Sequence, residues 1–154
     1  MSTSAPAPLM PPAPPVREDR PALSGDRRAP AAARRATARL LARAGWGRQR
    51  TADAVLIVSE LVTNAVRHAP GPCRLTLTER AGVLDIAVAD TGEELPQRWT
   101  HAGERGGFGL VLIERLGGRL TVVPALGGKT VRVRLDRRAE SGGPPSGRAG
   151  ERPR

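Results

Sequence analysis

Tyrosine is absent from this sequence of 154 residues, phenylalanine occurs once, at Phe108, and tryptophan twice, at Trp46 and Trp99. With aromatics at 2%, the core has to be built from Val, Leu, Ile and Ala. The same scarcity removes the platforms on which single-stranded nucleic acids stack. Cysteine also occurs once, at Cys73, which excludes an intramolecular disulfide and fits a reducing cytoplasm. No histidine stands near it in sequence except His68, so nothing supports a reactive thiol. No apolar run is long enough to span a membrane. The opening MSTSAPAPLMPPAPPV has neither the basic start nor the Leu-rich centre of a signal peptide. A cytoplasmic protein without membrane contact is expected.

Lysine occurs once, at Lys129, so almost all of the formal net charge of +10 is carried by arginine, spread along the chain. The tails hold part of it: residues 137–154 carry +3 and residues 1–28 carry +1. That leaves a moderate excess in the middle, and with no aromatic set to interleave, direct nucleic-acid binding rests on charge alone.

What is present is periodicity. The stretch from Thr51 to Pro70, TADAVLIVSELVTNAVRHAP, puts Ala54, Val55, Val58, Leu61, Val62, Ala65 and Val66 at three- and four-residue steps, one apolar face of a helix. Thr51 can cap its start, and Pro70-Gly71 ends it. Glu60 and Asn64, four apart, point the same way from adjacent turns. A carboxylate beside an amide can hold a hydrated Mg²⁺ or order an attacking hydroxyl, but such a pair is also common on a solvated helix face.

Upstream, residues 1–28 are Pro- and Ala-rich and are expected to lack order. Pro30 opens a helix with Ala33, Ala36, Leu40, Leu41 and Ala44 on one side and Arg34, Arg35, Arg39 and Arg43 on the other, stopped by Gly45 and Gly47. Downstream, residues 73–78 alternate as a half-buried strand, Ala81-Gly82 turns the chain, and Leu84, Ile86 and Val88 mark a second, antiparallel strand ending at Asp90-Thr91-Gly92. Residues 93–106 are polar, with Pro and Gly and no period, as a functional lid would be. Gly106-Gly107-Phe108-Gly109-Leu110 leads into a helix from Val111 to Leu116, closed by Gly117-Gly118. A strand over 119–123, a turn at Leu126-Gly127-Gly128 and a last strand from Lys129 with Val131, Val133 and Leu135 on one face complete the domain, 29–136. Residues 137–154 are expected to lack order.

Two nucleotide motifs are suggested and both fail. Gly128-Lys129-Thr130 would need a glycine where Val123 stands, and a helix where a strand follows. A dinucleotide fingerprint starting at Gly107 would need a third glycine where Leu112 stands. What remains is a glycine cluster at a helix N-terminus, where free N–H groups and the dipole favour phosphate.

Taken together and in order, Glu60-Leu-Val-Thr-Asn64-Ala, Asp90-Thr-Gly92, Gly107-Phe-Gly109-Leu110 and Gly128-Lys-Thr130 resemble the GHKL ATP-binding fold of gyrase, histidine kinases and a heat-shock chaperone. Within it, ELVTNAVRHA is most similar to the anti-sigma-factor serine/threonine kinases. The resemblance implies an α+β, two-layer α/β sandwich of the Bergerat type, a mixed, mostly antiparallel sheet covered on one face by helices. It implies ATP and Mg²⁺ as cofactors, with Asn64 ligating the Mg²⁺ and Glu60 as general base on a serine hydroxyl. Asp90 would accept from the adenine amino group with Gly92 beside the ring, and Thr130 would help hold adenine. Residues 93–106 would be the lid, Arg105 the partner of the γ-phosphate, and Gly107 and Gly109, with Leu110 after them, the phosphate cradle. The implied partners are an anti-anti-sigma (antagonist) protein and a sigma factor, with two copies pairing as related kinases do. The pattern departs from the family at Glu94, where a second glycine often follows the Asp. The alternatives are an ATP-binding regulator that only sequesters its partner, and the ATP-binding subunit of a split histidine kinase. Against the latter, neither His68 nor His101 sits in a dimerising helical hairpin.

Overall fold

The computed structural model describes residues 9–69, 71–92 and 108–138. Helix α1 (Ala29–Arg43) forms where alanines and leucines recur on one side: Ala29, Ala33, Ala36, Leu40 and Leu41 are buried, and the four arginines of the opposite side are exposed. Pro30 stands in its first turn, where no N–H is needed. Just ahead of it, the Asp26 carboxylate accepts from the Arg28 backbone N–H and the Ser24 hydroxyl, both at 2.8 Å. Those bonds, the first foremost, hold its pKa below the ordinary carboxylate value. Gly45, at φ +72°, turns the chain out of the helix.

Helix α2 (Arg48–His68) begins one turn before the expected Thr51. Gly47 is the extended residue before it, and the Thr51 N–H already bonds the Gly47 carbonyl at 3.0 Å, so Thr51 lies inside the first turn and is no cap. Its buried stripe is Ala54, Ile57, Val58, Leu61, Val62 and Ala65; Ile57 joins the expected set, while Val55 and Val66 are half-buried at its margin. Ala69 follows in an extended conformation, the preference of a residue that precedes proline.

Among the described residues, five strands form one sheet in the order β1-β2-β3-β5-β4, every neighbouring pair antiparallel. β2 (Arg74–Arg80) and β3 (Val83–Asp90) are joined by Ala81-Gly82, both at positive φ, the twist-matched two-residue hairpin. β4 (Arg119–Ala125) and β5 (Gly128–Asp136) form a second hairpin, and β5 inserts beside β3. Alternation assigns the faces. Leu75, Leu77, Leu84, Ile86, Val88, Val131, Val133 and Leu135 are buried and share one core with α1 and α2, whereas Thr121, Arg132 and Arg134 are exposed on the other face. The two-layer α+β architecture is the expected one, with a wholly antiparallel sheet.

One stretch differs from expectation. Within the Pro-rich N-terminal segment, Val16–Asp19 form β1, the edge strand paired on β2. Its sequence has no apolar alternation because backbone bonds hold it, and Arg17 reaches Glu79, opposite it in register, at 3.6 Å. Glu79 is itself buried and accepts from the Trp46 indole at 3.3 Å and the Gly82 N–H at 3.0 Å.

Helix α3 (Phe108–Arg115) starts three residues earlier than the expected Val111 and closes at Gly117. The Gly118 N–H bonds Ile113 O at 2.8 Å and the Gly117 N–H bonds Glu114 O at 2.9 Å, with Gly117 at φ +79°, the left-handed helix stop glycine permits. Arg50, buried in the first turn of α2, ties this end down. Its Nε donates to Asp136 O at 2.7 Å and its Nη1 to Leu116 O at 2.5 Å, while Asp53 pairs with it at 3.2 Å.

Candidate functional site

The chemistry gathers where β3 ends. Asp90 lies in the phase of Leu84, Ile86 and Val88, so its side chain is on the helix-covered face of the sheet. Its Oδ1 accepts from the Gly92 N–H at 2.9 Å and from Lys129 Nζ at 2.9 Å. Lys129 also donates to Gly92 O at 3.2 Å. The pair is almost sealed from water, with the Lys129 side chain 6% and the Asp90 side chain 4% exposed. A lysine is rarely this buried unless paired, and here the pairing is dictated by register, which sets Lys129 directly across from Asp90.

The corner is tight at its two glycines. A Cβ on Gly128 would run into the Asp90 carbonyl oxygen, so the β3–β5 crossing closes only with glycine. A Cβ on Gly92 would meet Lys129 Nζ at 3.1 Å, Asp90 Oδ1 at 3.2 Å and Ala69 Cβ at 3.3 Å. That last contact shows that the C-terminal end of α2 abuts the corner.

Glu60 and Asn64 are half-buried on α2, neither in the core stripe nor on its solvent side. They follow Asp53 by seven and eleven residues, close to two and three full turns, so all three share a flank. Because Asp53 pairs with Arg50, which grips Leu116, this is the flank turned toward the end of α3. Asn64 precedes Ala69 by about 7.5 Å of helix rise, and Glu60 by one turn more. The pair therefore lies on the flank of α2 turned toward α3, on the helix whose C-terminal end abuts the Asp90 corner.

Strand geometry sets Thr130 on the other face from the Asp90 side chain. Lys129, Val131, Val133 and Leu135 are buried in one phase of β5, which puts Thr130 in the other, on the open face with Arg132 and Arg134. Lys129 stands at the Asp90 corner instead. Two features could have located it: it is the sole lysine, and it falls in the apolar phase of its strand. Gly109 and Leu110 lie in the first turn of α3, inside the helix and not in a loop before it. Arg105, Gly107 and the lid of residues 93–106 lie outside the described residues.

Cys73, at the foot of β2, is buried, and its thiol is pushed above its ordinary pKa, chiefly by burial and further by the Asp90 charge. That is the state of an inert thiol.

A family described as the histidine kinase-like ATPase domain matches residues 23–135. The chain belongs to this family. Among solved structures, the RsbU and RsbW domains of Rv1364c from Mycobacterium tuberculosis superpose with a TM-score of 0.61 at 20% identity, covering 78% of this chain and 32% of that one. The histidine kinase domain of the blue-light activated histidine kinase from Erythrobacter litoralis EL346 matches at 27% identity, with a TM-score of 0.46, covering 56% of this chain and 44% of that one. The chain thus spans less than half the length of either structure. No curated protein matches the sequence.

As a histidine kinase-like ATPase domain, the chain is an ATP-binding domain, and its residues fit a purine nucleotide. Asp90 supplies a fixed acceptor at the strand end, and Gly92 and Gly128 add no side chain to the tight corner around it. A metal is a narrower fit. Among the described residues, no group of three His, Cys, Asp or Glu could hold one. A Mg²⁺ would therefore come with the phosphates and take at most the Asn64 amide oxygen from the described residues, the sparse protein coordination usual for this ion. No helix among the described residues is long and apolar enough to cross a membrane.

Proposed function

We propose that this ATPase domain is a protein serine/threonine kinase of the anti-sigma type, cytoplasmic, with a serine on an antagonist (anti-anti-sigma) protein as phosphoryl acceptor and a sigma factor as the partner it sequesters. The observation that supports this reading is that Glu60 and Asn64 share one half-buried flank of α2, the helix whose C-terminal end abuts the Asp90 corner. Phosphoryl transfer asks little covalent chemistry of a protein: it needs a positioned nucleophile and balanced charge. Bound Mg·ATP would supply the transferable phosphoryl group. The Glu60 carboxylate, one turn from Asn64, is placed to accept the proton of an incoming hydroxyl. The Asn64 amide oxygen is placed to steady the metal, and the Asp90 carboxylate to accept from the base. Retention of a carboxylate at Glu60 supports a hydroxyl nucleophile, which requires a base. The Rv1364c likeness, at 20% identity, supports the fold alone.

The test is phosphate transfer from labelled Mg·ATP to a candidate antagonist, beside nucleotide binding. The wild-type chain is expected to transfer, and Glu60→Ala to keep ATP binding while transfer falls by about 10²–10⁴-fold, the usual contribution of a general base. Transfer that survives the substitution removes Glu60 from the role. ATP binding without transfer in the wild-type chain would leave only a sequestering regulator.

A further inference from the structure

The outer surface of the helical layer carries charge that neither the core nor the nucleotide site uses. α1 and α2 are joined by residues 44–47 and pack as an antiparallel hairpin, with Arg34 of α1 donating to the Ser59 hydroxyl of α2 at 3.0 Å. One turn further along this seam Ala38 stands opposite Leu56, and a second turn brings Ala42 to Ala52. Leu56, 41% exposed, is the one large apolar side chain of α1 and α2 that is exposed. Beside the seam, Arg35, Arg39 and Arg43 follow one another at four-residue steps along α1. All three are exposed, and none has a hydrogen bond or ion pair among the described residues. No acid answers them on this face: α1 contains none, and Asp53 and Glu60 of α2 are half-buried on the flank turned toward α3.

We propose that this face is a docking surface for an acidic amphipathic helix of a partner protein, with Leu56 as the apolar anchor and Arg35, Arg39 and Arg43 as a rail of positive charge. The inference goes beyond the kinase reading and stands without it, since it uses no residue of the nucleotide site. The spacing selects a helix. Four residues of helix rise about 6 Å, so the three guanidiniums repeat at the interval of acids at i, i+4 and i+8 on a second helix lying alongside. A guanidinium pairs with a carboxylate through two parallel bonds. Like charges at i and i+4 destabilise the helix that carries them, so the rail weakens α1 until acids arrive to relieve it. The alanines keep the seam shallow, and a helix lying along it can cover Leu56 with its own apolar stripe. Two other polyanions fit less well. A nucleic-acid backbone has no group to cover Leu56, and neither helix offers an aromatic ring to a base. An anionic membrane needs a broad apolar face to enter, and this surface has one leucine.

The experiment is a fluorescence-anisotropy titration of the full chain against a labelled synthetic helical peptide of about 20 residues, with a leucine stripe on one side and Glu at four-residue steps along its flank, at physiological ionic strength. The wild-type chain is expected to bind it, and to bind the same peptide with Lys for Glu, or with Ser for Leu, at least about tenfold more weakly. Arg35→Glu combined with Arg39→Glu, and separately Leu56→Ser, are each expected to weaken the acidic peptide at least about tenfold. Arg35→Lys combined with Arg39→Lys is expected to lose less than the charge reversal, because it removes the fork and keeps the charge. The substituted positions are exposed, and the peptide series on the wild-type chain decides the matter without any variant. No binding of the acidic peptide up to about 1 mM overturns the proposal, as does binding that neither the charge reversal nor Leu56→Ser moves. Tighter binding of a DNA duplex, or of vesicles containing phosphatidylglycerol, than of the peptide also overturns it. Nucleotide binding is a separate readout, so failure of this surface leaves the ATP site standing, and failure of the ATP site leaves this surface.

Discussion

Cys73 and Lys129 show how burial decides chemistry at single residues. Withdrawing the Cys73 sulfur from water disfavours the thiolate, and the Asp90 charge disfavours it further. The folded thiol therefore titrates above the unfolded one, near pH 8.5. Its linkage contribution to stability is fully present below that value and is lost as pH rises toward the folded pKa. In a thiol-probe assay across pH 7–10, native protein is expected to react more slowly than denatured protein, with its reactivity rising at higher pH. Equal rates and equal midpoints would mean the sulfur is neither buried nor beside a negative charge. Lys129 was legible only by half. Composition marks it as the sole lysine and alternation gives it the apolar phase, but its partner is 39 residues distant, and no local pattern names it. The Asp-box and Glu–Asn positions were legible because each is a local spacing on a strong element. The face of Thr130 was not legible, because a motif gives neighbours in sequence, while the pleat sends neighbours to opposite faces.

At the scale of elements, Arg50 is the joint of the molecule, linking the start of α2, the end of α3 and the end of β5 through two carbonyls and Asp53. Arg50→Ala would leave Asp53 and both carbonyls without their buried donor, and is expected to cost about 3–5 kcal/mol in urea unfolding at unchanged slope. Arg50→Lys is expected to recover only part of this, because one ammonium cannot reproduce the planar fork that reaches separate acceptors. A loss below about 1 kcal/mol for Arg50→Ala would show that packing alone sets α3 against α2. This joint was invisible in sequence, since an arginine among arginines carries no signal and two of its three partners, the Leu116 and Asp136 carbonyls, come from distant segments. β1 was hidden for a related reason, as its residues are polar and only the free edge of β2 gives them a place. α1, α2, β2, β3 and β5 were legible because each must bury one face, and burial writes a period of 3.6 or 2 into the chain. Their ends were less so: the start of α2 rests on a glycine whose cap role comes from backbone conformation and not from a side chain.

For the whole molecule, the layout makes nucleotide binding a property of the assembled fold. The Asp90 corner needs β3 and β5 in register, Ala69 needs the full length of α2, and Arg50 ties α2 to the end of α3 on the side that carries Glu60 and Asn64. An unfolded chain has none of these, so a nucleotide that binds the native state stabilises it by mass action, about 2.7 kcal/mol at a hundredfold excess over Kd. For a domain of this size that is a rise in Tm of several degrees, roughly 5–15 °C. The metal gives the experiment its discrimination. The described residues contain no set of acidic, His or Cys side chains able to hold a cation without help, so Mg²⁺ alone is expected to leave Tm unchanged. Mg²⁺ with ATP should raise Tm, and chelation should withdraw most of that rise, because the ion would come with the triphosphate and Asn64 would be the residue that holds it. Asn64→Ala should reduce the metal-dependent part while leaving the part carried by Asp90 and the base. A full Tm rise from Mg²⁺ without nucleotide would point to a protein-built metal site and would overturn the role given to Asn64.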